Sequence, residues 1–498
     1  MYLVCNSVME TSIKHSNVLN LLLYAAISNP KVIYCKSSKH EFTYEQFVFA
    51  CIKLSKQIKK NNLRNRYVGI LLPNSISFLI TYFAILLSGN TPALLNYLLP
   101  NTALEKLLDN LQPALVISDK ELSNYEFLTV KIEDYLDLET SNIEKLDNPC
   151  SGYDVGAILF SGGTTGIPKQ VNHSHQCILS MVERMEWGWP TKSNEKWLVV
   201  APFTHIYGFL TGVTNPLLRY GTVFIPDAFE PTLIVEKLCS ERITVFGGGP
   251  PAIYQALLSV DKFEKKLVPK LRVCPGGGAP FPMAVHKIWQ DRIGVPIYEG
   301  YGMTEIAPIS VNTVEKGTKL GSVGKAVPDT RIEIVDIETG KQVLSAGETG
   351  EIRVKGPHMM SEYVGNKKET TQTIKDGFIY TGDIGVIDNK GFLSITDRKK
   401  DVIFVKGFNV FPREIEEELM SLPNVASVCV VAKQDDRSGE TPVAFITPKS
   451  QLDVSMLKKH CEETLLPYKV PSDFIVLESL PLTPAKKIDR AALKNKLI

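Results

Sequence analysis

From about Phe42 to Ile309, short apolar runs alternate with helix-length segments, and this alternation constrains the chain more than any other feature. Strands separated by helices run parallel, and a parallel sheet must be covered on both faces, so the pattern predicts a layered α/β architecture. Val68-Gly-Ile-Leu-Leu reads as a strand, and Ile76 to Leu87 as its following helix, with Asn74 as the cap and Gly89 just beyond. Leu115-Val-Ile-Ser is another strand after a helical Leu104 to Leu111. Ala157-Ile-Leu-Phe, Trp197-Leu-Val-Val-Ala, Thr222-Val-Phe-Ile, Thr244-Val-Phe and Ile297-Tyr298 continue the series. Gly or Pro follows several of them, as where loops open toward a ligand at strand carboxyl ends.

The texture changes from about Gly321 to Thr396. Arg331-Ile-Glu-Ile-Val-Asp, Gly350-Glu-Ile-Arg-Val-Lys, Ile384-Gly-Val-Ile-Asp and Gly391-Phe-Leu-Ser-Ile-Thr alternate apolar and polar residues between Gly-bearing turns. Period two with such turns predicts a small antiparallel β unit. The charged run Arg398-Lys399-Lys400-Asp401 follows, then strand, helix (Pro412 to Leu422) and strand (Ala426 to Ala432). A tail of about 100 residues with its own core reads as a separate domain joined by that run. The expected organisation is a large domain over 1–397, with α/β subdomains to about 315 and the β unit over about 316–397. A small α+β domain occupies 398–498.

Composition removes several function classes. Apolar residues are 44% and charged residues 22%, ordinary for a globular protein and unlike a disordered or fibrous chain. Lys and Arg total 55 against 54 Asp and Glu, a net charge of +1, so no global basic field points to nucleic acid or anionic lipid. The nine cysteines are odd in number and dispersed with no C-x-x-C, the pattern of reduced thiols in a cytoplasmic protein. The N-terminus lacks the features of a secretory signal, and the Ile76 to Leu87 stretch falls short of the ~20 apolar residues that span a membrane.

The most informative loop is Ser161-Gly-Gly-Thr-Thr-Gly-Ile-Pro-Lys169, immediately after a strand. Its glycines let backbone N–H groups approach phosphate oxygens, its hydroxyls add donors, and Lys169 adds a compact positive charge. It does not fit the G-x-x-x-x-G-K-[ST] pattern, and no G-x-G-x-x-G occurs, which disfavours Walker-type and dinucleotide readings. Gly276-Gly-Gly-Ala-Pro280 and Gly247-Gly-Gly-Pro-Pro251 offer bare backbone edges before helices; each alone is also what a tight connection needs. In Tyr301-Gly-Met-Thr-Glu305, Tyr301 suits stacking on a purine, Thr304 a phosphate contact and Glu305 Mg²⁺, against the plainer reading of packing and solvation. Asp383 sits in a Gly-bearing turn where an Asx-turn is the default. His173 and His175 alternate, but read without acidic or cysteine partners, and with Ser174 placed to cap the next helix, they do not form a metal site.

In this order the motifs resemble the adenylate-forming superfamily, which includes acyl-CoA synthetases, firefly luciferases and nonribosomal adenylation domains. The resemblance runs from about residue 40 to 490. It is carried by Ser161 to Lys169, Ala201-Pro-Phe-Thr-His205, Gly276 to Pro280, Tyr301 to Glu305, Gly347-Glu-Thr-Gly-Glu351, Thr381-Gly-Asp383, Asp397-Arg398, Gly407 to Glu416 and Pro481 to Lys487. It implies a ligase that joins a carboxylate to the α-phosphorus of ATP, expels pyrophosphate, and passes the acyl group to the thiol of CoA. The acid it implies is fatty or otherwise apolar. By position, Ser161, Gly162, Gly163, Thr164, Thr165, Gly166 and Lys169 cradle the pyrophosphate half. Tyr301 and Gly302, with the backbone of Gly277, Gly278 and Ala279, hold adenine. Thr304 meets the α-phosphate, Glu305 binds Mg²⁺, and Asp383 and Arg398 hold the ribose. Lys487 bridges carboxylate and phosphate, and His205 stands at the mouth of the acyl pocket. The small domain is implied to turn about Lys400, bringing the Gly407-Phe408-Asn409 loop to the thiol side.

Three positions depart from the family pattern: Gln170 for Gly, Phe404 for Lys, and Lys486 for Gly beside Lys487. A rival reading is an adenylating enzyme that loads a separate carrier protein. No long insertion of the kind found in stand-alone fatty acyl-AMP ligases lies between Gly302 and Gly350, which favours CoA. A non-catalytic nucleotide-binding regulator is disfavoured, because Thr304, Glu305, Asp383, Arg398 and a lysine near 487 are all present.

Overall fold

The computed structural model describes residues 16–120, 122, 125–136, 142–161, 168–435, 437–450, 452–482 and 488–497. By packing, the chain divides into Met1–Ile332 with Val354–Ile379, and Glu333–Arg353 with Tyr380–Ile498.

The first unit contains the expected parallel sheets. One has six strands in the order Phe127–Thr129, Leu115–Ser118, Tyr67–Leu71, Thr91–Leu94, Val155–Ser161 (β1) and Lys169–Ser174 (β2). Neighbours run parallel except β1 and β2, which form an antiparallel hairpin with Ser161 opposite Lys169. The Gly-rich loop is therefore a hairpin connection, and residues 162–167 of it lie outside the described residues. A second sheet runs Val245–Gly247, Lys196–Val199, Thr222–Phe224, Ile33–Lys36 and Glu41–Thr43.

The helix Ile76–Leu87 is buried at every position except Ser77, which explains its apolar character on all sides. Its cap corrects the sequence reading. Ser75, not Asn74, accepts the Phe78 N–H at 3.1 Å. The Asn74 amide instead accepts from the Phe203 N–H and donates to the Ala201 carbonyl, both at 2.8 Å. A carboxamide carries its donor and acceptor on separate atoms and so spans two groups of a passing backbone, whereas the single Ser75 oxygen caps the helix and donates locally to the Pro73 carbonyl. Helix α1, His175–Gly188, is capped by Ser174 as the sequence predicts.

A four-stranded sheet completes this unit. Cys274–Gly276 pairs parallel with β3 (Ile297–Met303), β3 pairs antiparallel with β4 (Ile306–Val311), and β4 with Lys325–Ala326. Met303 pairs with Ile306, so Thr304 and Glu305 are the two residues of a tight turn. A short helix, α2 (Lys367–Thr373), is capped by the Asn366 side chain, which accepts the Glu369 N–H.

In the second unit, β5 (Phe378–Ile387) and β6 (Leu393–Arg398) are antiparallel, with Asp383 opposite Arg398. A further sheet contains the hairpin β7 (Ile403–Val405) and β8 (Phe408–Val410), then Gly439–Pro448 and Val425–Asp435, with Asp473–Val476 parallel to Gly439–Pro448. Its core is Ile403, Val410, Ile415, Leu419, Val430 and Ile446. The carboxylate of Glu416 takes the Val430 N–H at 2.7 Å and Arg490 Nη2 at 2.8 Å, tying the helix Arg490–Asn495 to this core. Eight described cysteines are all free thiols. Among the described residues, no helix is long and apolar enough to cross a membrane.

Candidate active site

Glycine density at the ends of β3 and of Cys274–Gly276 reflects contact between bare backbones. A Cβ on Gly277 would lie 2.6 Å from the Gly300 carbonyl oxygen, and Gly278 sits at φ +81°, where L side chains are strained. The Gly277 N–H bonds the Gly249 carbonyl at 3.1 Å, so the two glycine clusters noted in the sequence are adjacent. Two phenols, Tyr207 and Tyr254, converge on the Pro275 carbonyl at 2.9 and 2.6 Å. This anchors the segment after His205 to the glycine strand. His205 itself is exposed and caps the short helix Ile206–Gly208, its Nδ1 accepting the Tyr207 N–H. Asn74 holds residues 201–203 just before it.

The turn between β3 and β4 is held at three atoms. The Thr304 carbonyl accepts from His173 Nε2 at 2.8 Å, and the Glu305 carbonyl accepts the Met360 N–H at 2.7 Å. Tyr363 donates its phenol to Glu305 Oε1 at 2.5 Å. Glu305 is only 5% exposed, so this donor stabilises a carboxylate that has lost most of its water. Burial, then the Glu305 charge, pushes the Tyr363 phenol well above its ordinary value, so it remains a donor at any physiological pH. Lys169 lies 4.9 Å from the centre of the Tyr363 ring and is ion-paired with Glu369 on α2. Lys169, Tyr363, Glu305 and Glu369 thus form one polar cluster, and three of them, Lys169, Tyr363 and Glu369, line a cleft of about 560 Å³ together with Lys106, Asp109, Asn110, Gln170 and Asn366.

Two of these groups escape sequence reasoning. Tyr363 lies 58 residues from Glu305, and Glu369 lies 200 from Lys169, so no local pattern signals either pairing. The premise that the H-x-H pair has no cysteine partner is corrected: Cys177, four residues on, places Sγ 3.4 Å from His173 Nδ1. The described residues hold no group of three or more His, Cys, Asp or Glu suited to a metal. The side chains of the H-x-H pair have separate partners, since His175 Nδ1 accepts the Val18 N–H. Of the phosphate-loop residues, Ser161 is buried at the end of β1 and Lys169 opens β2. Gly162, Gly163, Thr164, Thr165 and Gly166 lie outside the described residues, as do Lys486 and Lys487. Ala279 follows Gly278 on the glycine edge, and Tyr301 and Gly302 sit on β3 before the turn.

In the second unit, Arg398 Nε approaches Asp383 Oδ1 at 3.4 Å. The turn reading of the sequence is corrected here: Asp383 lies within strand β5, where Thr381 Oγ1 accepts its N–H at 3.0 Å and Gly382 between them takes φ +70°. Lys400 is exposed in the 3₁₀ turn Lys399–Asp401. Lys406 and Gly407 both take positive φ in the two-residue turn of the β7–β8 hairpin, Asn409 follows on β8, and Phe408 stacks on Tyr468 at 4.6 Å.

Family models match this chain as AMP-binding enzyme over residues 25–364 and as AMP-binding enzyme C-terminal domain over 414–487. The chain belongs to the AMP-binding enzyme family. This enzyme is 30% identical over 508 residues to a long-chain-fatty-acid–CoA ligase of Bacillus subtilis, covering 91% of this chain and 90% of that one. It is 30% identical over 500 residues to a 2-succinylbenzoate–CoA ligase of a Geobacillus strain, covering 98% of each. Among solved structures it resembles o-succinylbenzoate coenzyme A synthetase of Bacillus subtilis in complex with ATP and a magnesium ion. The TM-score there is 0.85, with 25% identity over 96% of this chain and 99% of that one. The α/β fold with a large N-terminal and a small C-terminal part is that of this family.

Proposed function

We propose that this enzyme is an ATP-dependent carboxylic acid–CoA ligase acting on a fatty or other apolar acid. A carboxylate does not acylate a thiol at neutral pH, because its carbonyl is electron-rich and oxide is a poor leaving group. In the first step a carboxylate oxygen attacks the α-phosphorus, the bond to the bridging oxygen breaks, and pyrophosphate leaves. In the second, the thiol attacks the acyl carbon of the acyl-AMP and AMP leaves. Such phosphoryl transfer asks the protein mainly for positioning and charge neutralisation.

The observation that carries this reading is the Thr304–Glu305 turn, fixed at three atoms and linked through Tyr363 to Lys169. Thr304 is assigned to the α-phosphate. Ser161, the hydroxyls and glycines of 162–166, and Lys169 are assigned to the departing pyrophosphate. The Gly277–Ala279 edge, Tyr301 and Gly302 are assigned to adenine, and Asp383 with Arg398 to the ribose. Lys487 is assigned to the carboxylate and α-phosphate, placing positive charge where the transition state gathers negative charge. Glu305 fits Mg²⁺: it is a buried hard-oxygen donor, Tyr363 occupies Oε1, and this cation takes one or two carboxylates with substrate phosphates completing its shell. When bound there, Mg²⁺ supplies neutralisation of the phosphate charge.

His205 is assigned to the acyl-pocket mouth, next to the buried apolar side chains Phe203 and Ile206. We place the moving part at 398–498, with Lys400 as pivot and the Gly407, Phe408 and Asn409 loop serving the thiol step, so that acyl-AMP is not exposed to water between steps. The CoA ligase activities of the two relatives support CoA as acceptor; the alternative is the phosphopantetheine thiol of a separate carrier protein, which needs the same chemistry. A cytoplasmic location, suggested by the dispersed thiols, belongs to the same proposal. Pyrophosphate exchange across a panel of carboxylates, followed by mass spectrometry for the CoA thioester, tests the reading. Exchange with an apolar acid and a thioester product are expected; absence of exchange with every acid overturns it.

A further inference from the structure

The H-x-H pattern does not read as a metal site in the sequence, yet the surroundings of His173 are specific. It sits on β2 with its side chain fully buried, opposite Ala157 of β1. Residues alternate faces along a strand, so Lys169, Val171 and His173 share one face of β2. Each of the three reaches the polar cluster or its apolar floor: Lys169 meets Tyr363 and Glu369, Val171 packs in the cluster of Ile306, Met360 and Tyr363, and His173 meets Thr304.

The tautomer follows from the partners. A carbonyl only accepts, so Nε2, 2.8 Å from the Thr304 oxygen, carries the proton. Nδ1 is left as an acceptor, and Cys177 Sγ lies 3.4 Å from it. The same thiol also lies 3.2 Å from the His358 carbonyl, so its weak S–H is held among acceptors. Burial pushes the imidazole down to about 4, which keeps it neutral and in this tautomer at physiological pH.

We propose that His173 is a positioning residue for adenylation: its Nε2–H fixes the carbonyl of Thr304, and with it the direction of the Thr304 hydroxyl and the Glu305 carboxylate. The other two tethers of the turn come from residues 360 and 363 and act on Glu305 alone. The histidine is the tether to Thr304, and it comes from the strand that Lys169 opens. It therefore sets the spacing between the group assigned to the departing pyrophosphate and the group assigned to the α-phosphate. This inference rests on the role of Thr304 proposed above.

The test compares His173→Gln, whose amide N–H reproduces the position of Nε2–H, with His173→Asn, whose shorter amide does not reach Thr304. Both are polar and smaller than His, so burial alone does not separate them. Acyl-AMP formation, the KM for ATP, thioester formation from pre-made acyl-AMP and the thermal midpoint are read for each. In the Asn variant the rate of acyl-AMP formation is expected to fall about tenfold, the scale of one lost hydrogen bond in the transition state. The Gln variant is expected to recover most of that loss, and thioester formation from pre-made acyl-AMP to stay near wild type in both. Equal rates in the two variants, or equal losses in both half-reactions, overturn the inference. Failure of the wild-type enzyme itself to form acyl-AMP overturns the functional reading instead.

Discussion

Removing one oxygen, in Tyr363→Phe, isolates the contact that fixes the Glu305 carboxylate. The ring remains, so its packing and its place beneath Lys169 at 4.9 Å are retained. What is lost is the hydrogen bond of 2.5 Å to a carboxylate only 5% exposed, together with a lesser contact of the phenol with the Thr373 hydroxyl. Hydrogen bonds to charged groups are worth about 1.5–3 kcal/mol, so if the orientation of Glu305 matters in the transition state, adenylation slows by about ten- to a hundredfold. The assay is ATP–pyrophosphate exchange with magnesium varied at saturating acid and ATP. The variant is expected to need more magnesium and to retain a deficit at saturation, while thioester formation from supplied acyl-AMP is unaffected. A magnesium dependence and rate indistinguishable from wild type would refute the claim that Tyr363 orients a metal-binding carboxylate.

Other perturbations address separate parts of the site. Glu369→Gln removes the partner of Lys169; both side chains are partly exposed, so stability changes by no more than about 1 kcal/mol in urea unfolding, while the KM for ATP falls as the ammonium is freed for phosphate. Lys487→Ala is expected to slow acyl-AMP formation by about 10²–10³-fold with thioester formation from acyl-AMP largely spared, measured as separate half-reactions. Burial pushes His173 and His175 down to about 4 and His358 down to about 3. Their unfolded counterparts titrate near ~6.5 and take up protons first, so the stability they contribute is complete above that pH and is lost as pH falls toward about 4. Urea midpoints that fall steadily below about pH 6.5 match this, and a midpoint flat from there to about 5 contradicts it.

What was legible in the sequence divides along a physical line. Leu115–Ser118 and the Ile76–Leu87 helix follow from apolar patterning alone, because each is buried by its own sheet or helix layer. β2 carries no apolar pattern because Lys169-Gln-Val-Asn-His-Ser174 contains one aliphatic residue, and its buried histidine is satisfied by the Thr304 carbonyl, 131 residues along the chain. The family motifs single out Thr304 and Glu305 together, but not the two-residue turn that presents them. That turn depends on the register of β3 against β4. Asn74 and Ser75 are both good caps, and only the passing backbone at residues 201–203 decided between them. Tyr363 and Glu369 carry no local mark at all, since their roles arise from contacts made across the fold.

The central claim is that a carboxylate oxygen bonds to the α-phosphorus of ATP. Turnover of an acid labelled with ¹⁸O in its carboxylate, with ATP and CoA, measures this through the mass of the nucleotide product. The account predicts AMP carrying one ¹⁸O, alongside unlabelled pyrophosphate. Unlabelled AMP, or ADP with the label in inorganic phosphate, would place the attack at another atom and contradict it.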